Sequence, residues 1–182
     1  MGLCYHRPME LFETLKQRYS VWAYQDKPVP EEALRAVIQA ANDAPTAGNL
    51  QPFEIVVVRD PVQRKALAKT SHEQWFVAQA PVVLVFFTNT ARNREKFGAF
   101  ADFLALQDAT IACAYAMLGA TAAGLGTCWI GGFDEKTVSE LAGAPAGWRP
   151  IAVLPVGYAA EPPKPRERRP LLDLVHEGKA RR

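Results

Sequence analysis

Gly124-Leu125-Gly126-Thr127-Cys128-Trp129-Ile130-Gly131-Gly132-Phe133 is the stretch on which the reading of this chain turns. Four glycines in nine positions surround a short β-prone core, so backbone amides lie without side-chain cover on a segment against which something flat can press. Taken alone, the stretch is either a set of turns or the wall of a site for a planar cofactor. The run that precedes it is nearly uncharged and alanine-rich from about Leu104. Ala101 to Leu125 carries little polar material beyond Asp102, Gln107, Asp108, Thr110 and Thr121. Ala109 to Leu125 is only marginally long enough to span a bilayer and is rich in Ala, Gly and Thr, so it reads as a buried helix. A helix apolar on nearly every side needs cover on nearly every side. Its own sheet and neighbours can supply that cover, and so can a second subunit.

Working outward, the pattern is mixed α and β. Met9 to Arg18 predicts a short helix. A second begins with Pro30 at its first position, Glu31 and Glu32 favouring its N-terminus, and Leu34, Val37, Ile38 and Ala41 on one face. The loop Pro45 to Pro52 leads into Phe53-Glu54-Ile55-Val56-Val57-Val58, a continuous β-branched run of the kind buried in a sheet interior. Pro61 opens a third helix. Ala80 to Phe87 and Ile151 to Gly157 predict two more strands, with Pro155 marking an edge or an irregularity. Near the C-terminus, Glu161 to Pro170 is Pro-rich and basic, and Leu171 to Val175 is apolar again, as an arm returning to a surface would be. No internal repeat or low-complexity tract is present.

Composition narrows the classes. With 182 residues and 49% hydrophobic content, the chain can form one domain with a substantial core. A net charge of +2 argues against a nucleic-acid footprint spread over the surface. Cys4, Cys113 and Cys128 are too far apart for a zinc spacing or a disulfide framework, which predicts a reducing, cytoplasmic location and no metal. The N-terminus has no apolar signal core, and no membrane association is expected. There is no Gly-x-Ser-x-Gly, His-Glu-x-x-His, Walker loop or Gly-x-Gly-x-x-Gly, so hydrolase and metalloenzyme readings lack support. His6, His72 and His176 stand in no nucleophile or metal context.

Three polar groups are left to explain. Arg18-Tyr19-Ser20 puts a guanidinium and a hydroxyl two residues apart, which suits a phosphate or a solvated helix end. Arg166, Arg168 and Arg169 on the proline-spaced arm suit a phosphate, a solvated basic tail or a nucleic-acid patch. Asn49 and Gln51 offer amides that suit a heterocycle edge or ordinary turn chemistry. Trp75, Phe97, Phe100 and Phe103 either line a pocket or belong to the core.

In order along the chain, these pieces resemble the nitroreductase family of FMN-dependent oxidoreductases. The resemblance rests on Arg18-Tyr19-Ser20-Val21 with Tyr24 and Asp26-Lys27-Pro28-Val29, on Ala44 to Phe53, on Ala80-Pro81-Val82-Val83, on Gly124 to Phe133, and on Gly157-Tyr158 with Lys164 to Leu171. It covers roughly Leu11 to Val175. It implies an α+β fold with a central, mostly antiparallel sheet flanked by helices, in an intertwined homodimer with FMN at the subunit interface. On this reading 1–8 is an N-terminal extension and 9–182 a single FMN-binding domain.

Carried over by position, Arg18, Tyr19 and Ser20 would hold the FMN phosphate and ribityl chain, with Arg166 and Arg168 closing on the phosphate. Pro45, Thr46, Asn49 and Gln51 would reach the flavin from the other subunit. Ile130, Gly131 and Gly132 would run along the isoalloxazine, with the Gly131 amide donating to flavin N5. Hydride from NADH or NADPH would enter at N5, and a small-molecule acceptor such as a nitroaromatic or quinone would then take it in a ping-pong cycle. Dehalogenation or flavin fragmentation within the same family, and a flavin-binding module without turnover, stay open as alternatives. The chain departs from the family where Trp22 replaces a second basic residue after the serine and Tyr19 replaces a frequent Arg or His.

Overall fold

The computed structural model describes residues 10–164 and 166–179. The N-terminal extension 1–8, with Cys4, lies outside the described residues. So does Met9, and the first helix, α1, spans Leu11–Gln17 rather than starting at Met9. Helix α2 (Glu31–Asn42) follows the predicted periodicity, burying Leu34, Val37 and Ala41. Pro30 is its N-cap rather than its first helical residue, one position earlier than expected. Strand β1 (Phe53–Val58) matches its predicted run residue for residue. Helix α3 (Pro61–Thr70) starts at Pro61, and Asp60 caps it by accepting the Gln63 N–H at 2.7 Å.

Then come the short α4 (Phe76–Gln79), β2 (Val82–Asn89), the single turn α5 (Arg94–Phe97) and the long α6 (Ala101–Ala122). Strand β3 is only Gly126–Thr127, and α7 (Glu135–Ala142), β4 (Trp148–Gly157) and α8 (Leu171–Leu174) complete the order.

The four strands form one sheet in the order β1-β2-β4-β3, every pair antiparallel. Alternation along β2 divides the core. Val82, Leu84 and Phe86 face α2 and α6, while Val83, Val85 and Phe87 face the side of α3, α4 and α7. Because helices cover both faces, β2 reads in sequence as one continuous apolar run. Strand β1 reads the same way, yet it lies at the sheet edge and most of its residues are half-buried, which corrects the expectation of an interior strand.

Pro155 marks an irregularity, as expected, although β4 is internal. Val153 exchanges both backbone hydrogen bonds with Ile130, at 3.0 and 3.1 Å, so alternation turns Pro155 toward the same side. Lacking an N–H there, Pro155 cannot complete the ladder, and pairing lapses between Thr127 and Ile130.

Helix α6 is buried on one face only. Its small residues let α2 come close: a Cβ on Gly119 would lie 2.6 Å from that of Ala40. On the other face Phe103, Leu106 and Tyr115 are exposed, so the described residues alone do not supply the cover the sequence calls for. Arg94–Ala122 is long and apolar enough to cross a membrane by length and composition, but α6 packs against the sheet and α2 as a core helix does.

Candidate functional site

The segment after α1 is clamped onto β3. Ser20 bridges Thr127 in parallel, and the Val21 N–H donates to the Thr127 carbonyl at 3.0 Å. Glycine makes this approach possible, since a Cβ on Gly126 would sit 2.4 Å from Cγ2 of Val21. Next to it, a Cβ on Gly157 would meet Pro81 at 2.7 Å and Tyr24 at 3.0 Å. The buried Tyr24 hydroxyl donates to the Pro155 carbonyl at 3.3 Å, and desolvation holds that hydroxyl far above its ordinary pKa.

The same segment ties down the C-terminal arm. The Ala160 N–H donates to the Ala23 carbonyl and the Gln25 N–H to that of Tyr158, each at 2.9 Å. The Tyr19 hydroxyl donates to the Glu161 carbonyl at 2.9 Å, and the Arg166 guanidinium lies 5.9 Å from the centre of the Tyr19 ring. Arg18, Arg166 and Arg168 thereby line one groove of about 860 Å³, together with Lys16 and Lys164.

Among the described residues, no carboxylate lies within salt-bridge distance of these three arginines. Burial, and then the charges of Arg166 and Arg168, lower the pKa of Arg18. Cations gathered in this way, without a counter-charge, favour an anion among them. Ser20 stands beside them with its hydroxyl toward Cys128. Burial pushes the Cys128 thiol up, while Trp22, Ser20 and the charges of Arg166 and Arg18 oppose the shift. A thiol kept protonated this way is not a nucleophile.

The other end of the glycine-rich stretch differs. Ile130 is 3% exposed, packs in the core beneath β4, and has both backbone polar groups paired with Val153, so it has no polar group left for a cofactor. Gly131 and Gly132 are exposed, and their amides have no backbone partner among the described residues. A Cβ on Gly131 would lie 3.4 Å from the indole Nε1 of Trp129, and one on Gly132 would lie 3.3 Å from Nε2 and Cδ2 of His72. Indole and imidazole thus flank the two bare amides. Trp129 belongs to the same glycine-rich stretch, but the approach of His72 was not legible in the sequence, because 60 residues separate it from Gly132 and no local pattern joins them.

The loop carrying Pro45, Thr46, Asn49 and Gln51 lies elsewhere. The Ala47 N–H donates to both carboxylate oxygens of Asp108 on α6 at 3.1 Å. Thr46 Oγ1 accepts the Gln51 N–H at 3.1 Å, and the Gln51 side-chain amide donates to Asn49 O at 2.9 Å and Oδ1 at 3.0 Å. Within its own chain the loop thus makes turn hydrogen bonds. Gly48, Asn49 and Gln51 all have φ between 50° and 60°, a strained arrangement for the last two. None of the four candidates lines the arginine groove, so one chain brings together the Arg18 and Arg166 ends of the site but not this loop. Trp75, Phe100 and Phe103 are 46%, 71% and 60% exposed, which removes them from the core.

Comparison with known proteins gives the same frame. The family model described as the nitroreductase family matches residues 15–86 and 75–158. A Thermus thermophilus protein named NADH dehydrogenase is 35% identical over 187 residues, covering 87% of this chain and 91% of its own. A Bacillus subtilis protein named FMN reductase [NAD(P)H] is 28% identical, covering 92% of this chain and 73% of its own. The solved NADPH:FMN oxidoreductase from Vibrio harveyi, complexed with NAD+, superposes with a TM-score of 0.87 at 26% identity, over 94% of this chain and 78% of that one. With the fold, the clamped arginine turn and the bare Gly131-Gly132 amides alongside them, these matches establish that the chain belongs to the nitroreductase family.

Proposed function

We propose that the chain is an FMN-dependent oxidoreductase that draws on NADH or NADPH and reduces nitroaromatic, quinone or related small acceptors by a ping-pong cycle, as a homodimer. The observation that carries this reading is the cluster of Arg18, Arg166 and Arg168, without a carboxylate in salt-bridge range among the described residues, with Ser20 lining the adjoining pocket beside Arg166. An FMN phosphate has about two negative charges near neutral pH, as a phosphorylated side chain does, and would relieve the repulsion from Arg166 and Arg168 that adds to burial in lowering the Arg18 pKa. The relatives named FMN reductase [NAD(P)H] and NADPH:FMN oxidoreductase support the same cofactor and donor.

When bound, FMN supplies the two-electron chemistry, receiving hydride from the nicotinamide and passing it to the acceptor. The chain's own contribution is placement and charge. Arg18, Ser20, Arg166 and Arg168 hold the phosphate end, and Tyr19 acts by anchoring the arm that carries Arg166. The exposed Gly131 and Gly132 amides, without a backbone partner among the described residues, are preorganised donors for negative charge on the ring. Ile130 fixes that loop to β4 through its backbone pairing. Pro45, Thr46, Asn49 and Gln51 serve the partner subunit's cofactor, which fits their distance from the arginine groove in their own chain. No side chain acts as a nucleophile.

Each charge-assisted hydrogen bond contributes about 1.5–3 kcal/mol, so replacing both Arg166 and Arg168 by Ala lowers FMN affinity about a hundredfold or more. Flavin content after purification and FMN titration of the apoprotein test this. Unchanged flavin retention would overturn the assignment of the arm.

A further inference from the structure

Helix α3 ends in an unusual turn. His72 and Glu73 have consecutive φ values of +55° and +56°, although neither is glycine. Two left-handed side-chain-bearing residues in succession are costly, and such strain persists only where the surroundings hold it in place. Here the hold is visible. The Glu73 N–H donates to the Lys69 carbonyl at 3.3 Å and the Gln74 N–H to that of Ser71 at 3.3 Å, while the Asp134 N–H donates to the Thr70 carbonyl at 3.2 Å. That last bond pins the turn to the loop that follows Gly132. Ser71 is fully buried beneath it, its hydroxyl without a partner among the described residues. His72 itself is exposed, with its Nε2 edge against Gly132, where a Cβ would come within 3.3 Å of the ring. A glycine at 132 therefore keeps room for the imidazole beside the bare amides.

We propose that His72 is a catalytic residue of the acceptor half-reaction, delivering a proton from Nε2 to an oxygen of the bound quinone or nitro group. This rests on the FMN-oxidoreductase reading above. Reduction of a quinone to the hydroquinone takes two electrons and two protons. The hydride equivalent brings both electrons and one proton, and the second proton comes from the imidazolium N–H, leaving neutral imidazole that solvent reprotonates. For a nitro group, the same two electrons and two protons break one N–O bond, giving the nitroso compound and water. Imidazole suits this exchange because one ring nitrogen can hand a proton to the acceptor and take one back from solvent. Its exposure allows the proton to be replaced.

The experiment uses His72→Gly, since glycine adopts φ +55° without strain and the variant should fold at least as well. Histidine ring signals of the wild-type apoprotein are followed by NMR as FMN is added, with the variant identifying the His72 signal. Reoxidation of the reduced holoenzyme is then timed with p-benzoquinone and with ferricyanide, which accepts electrons without a proton. The expected result is that the His72 signal moves on FMN binding, that the quinone-to-ferricyanide rate ratio falls about a hundredfold in the variant, and that added imidazole restores it. A ratio that stays constant, or one that falls and is not rescued by imidazole, would overturn the proton-delivery role. A His72 signal indifferent to bound FMN would overturn its placement. Failure of the wild-type protein to bind FMN at all would instead refute the parent reading, and this one with it.

Discussion

Asp108 lies on α6 at 4% exposure, and both of its carboxylate oxygens accept the Ala47 N–H. Burial raises its pKa, and the Ala47 hydrogen bond offsets only part of that rise. A carboxyl group whose folded pKa is raised favours the fold fully below its unfolded pKa of about 3.9, and that contribution is lost as pH rises through the folded value. Asp108→Asn keeps an acceptor for Ala47 and removes the buried charge. Thermal unfolding should therefore show a Tm at pH 7 higher by about 2–4 °C, with the difference vanishing below about pH 4. An equal or lower Tm at pH 7 would mean that the charge serves the 45–51 loop in another way. At this scale the sequence was partly legible. Arg18, Ser20, Arg166 and Arg168 could be named from the order of family motifs along the chain, and the groove brings the arginines together. Tyr19's tether to Glu161 and the approach of His72 to Gly132 are long-range contacts that no spacing encodes.

Among the elements, β3 carries more than its two residues suggest, since Gly126 lets the Val21 backbone sit on the sheet edge and so fixes where Ser20 and Arg18 point. Valine is stiff at χ1 and cannot swing clear of a new methyl 2.4 Å away. Gly126→Ala should therefore destabilise the protein by about 1–3 kcal/mol in urea unfolding and weaken FMN binding with it. Combining it with Val21→Ala should recover much of both losses, and full additivity of the two changes would contradict the clamp. Sequence periodicity placed α2, β1, α3 and β4 to within a few residues, because each is marked by a clear apolar pattern or a proline. It gave the position of β1 in the sheet wrongly: a β-branched run shows that a strand is covered, not which strands lie beside it. The two-residue β3 and the four-residue α4, α5 and α8 are too short for periodicity to reveal.

For the molecule as a whole, apolar surface is the unfinished part. Leu11 and Phe12 on α1, Phe103 and Leu106 on α6, and Leu171 and Leu172 at α8 are between 40% and 91% exposed. The arm was expected to return to a surface, yet Leu171 to Val175 find none on their own chain. Exposed apolar faces on this scale fit the proposed homodimer, in which α6 gains its second cover and the 45–51 loop gains a flavin to meet. Fold and family were readable in advance because several weak motifs agree in order along the chain, whereas the acceptor depends on surfaces assembled from distant segments. The most direct test is the visible absorption spectrum of the protein reconstituted with FMN, recorded without oxygen before and after NADH or NADPH is added. A bound flavin band that bleaches with the nicotinamide and returns with a quinone is the predicted result. Bound flavin that neither nicotinamide bleaches, or no flavin binding at all, would contradict the account.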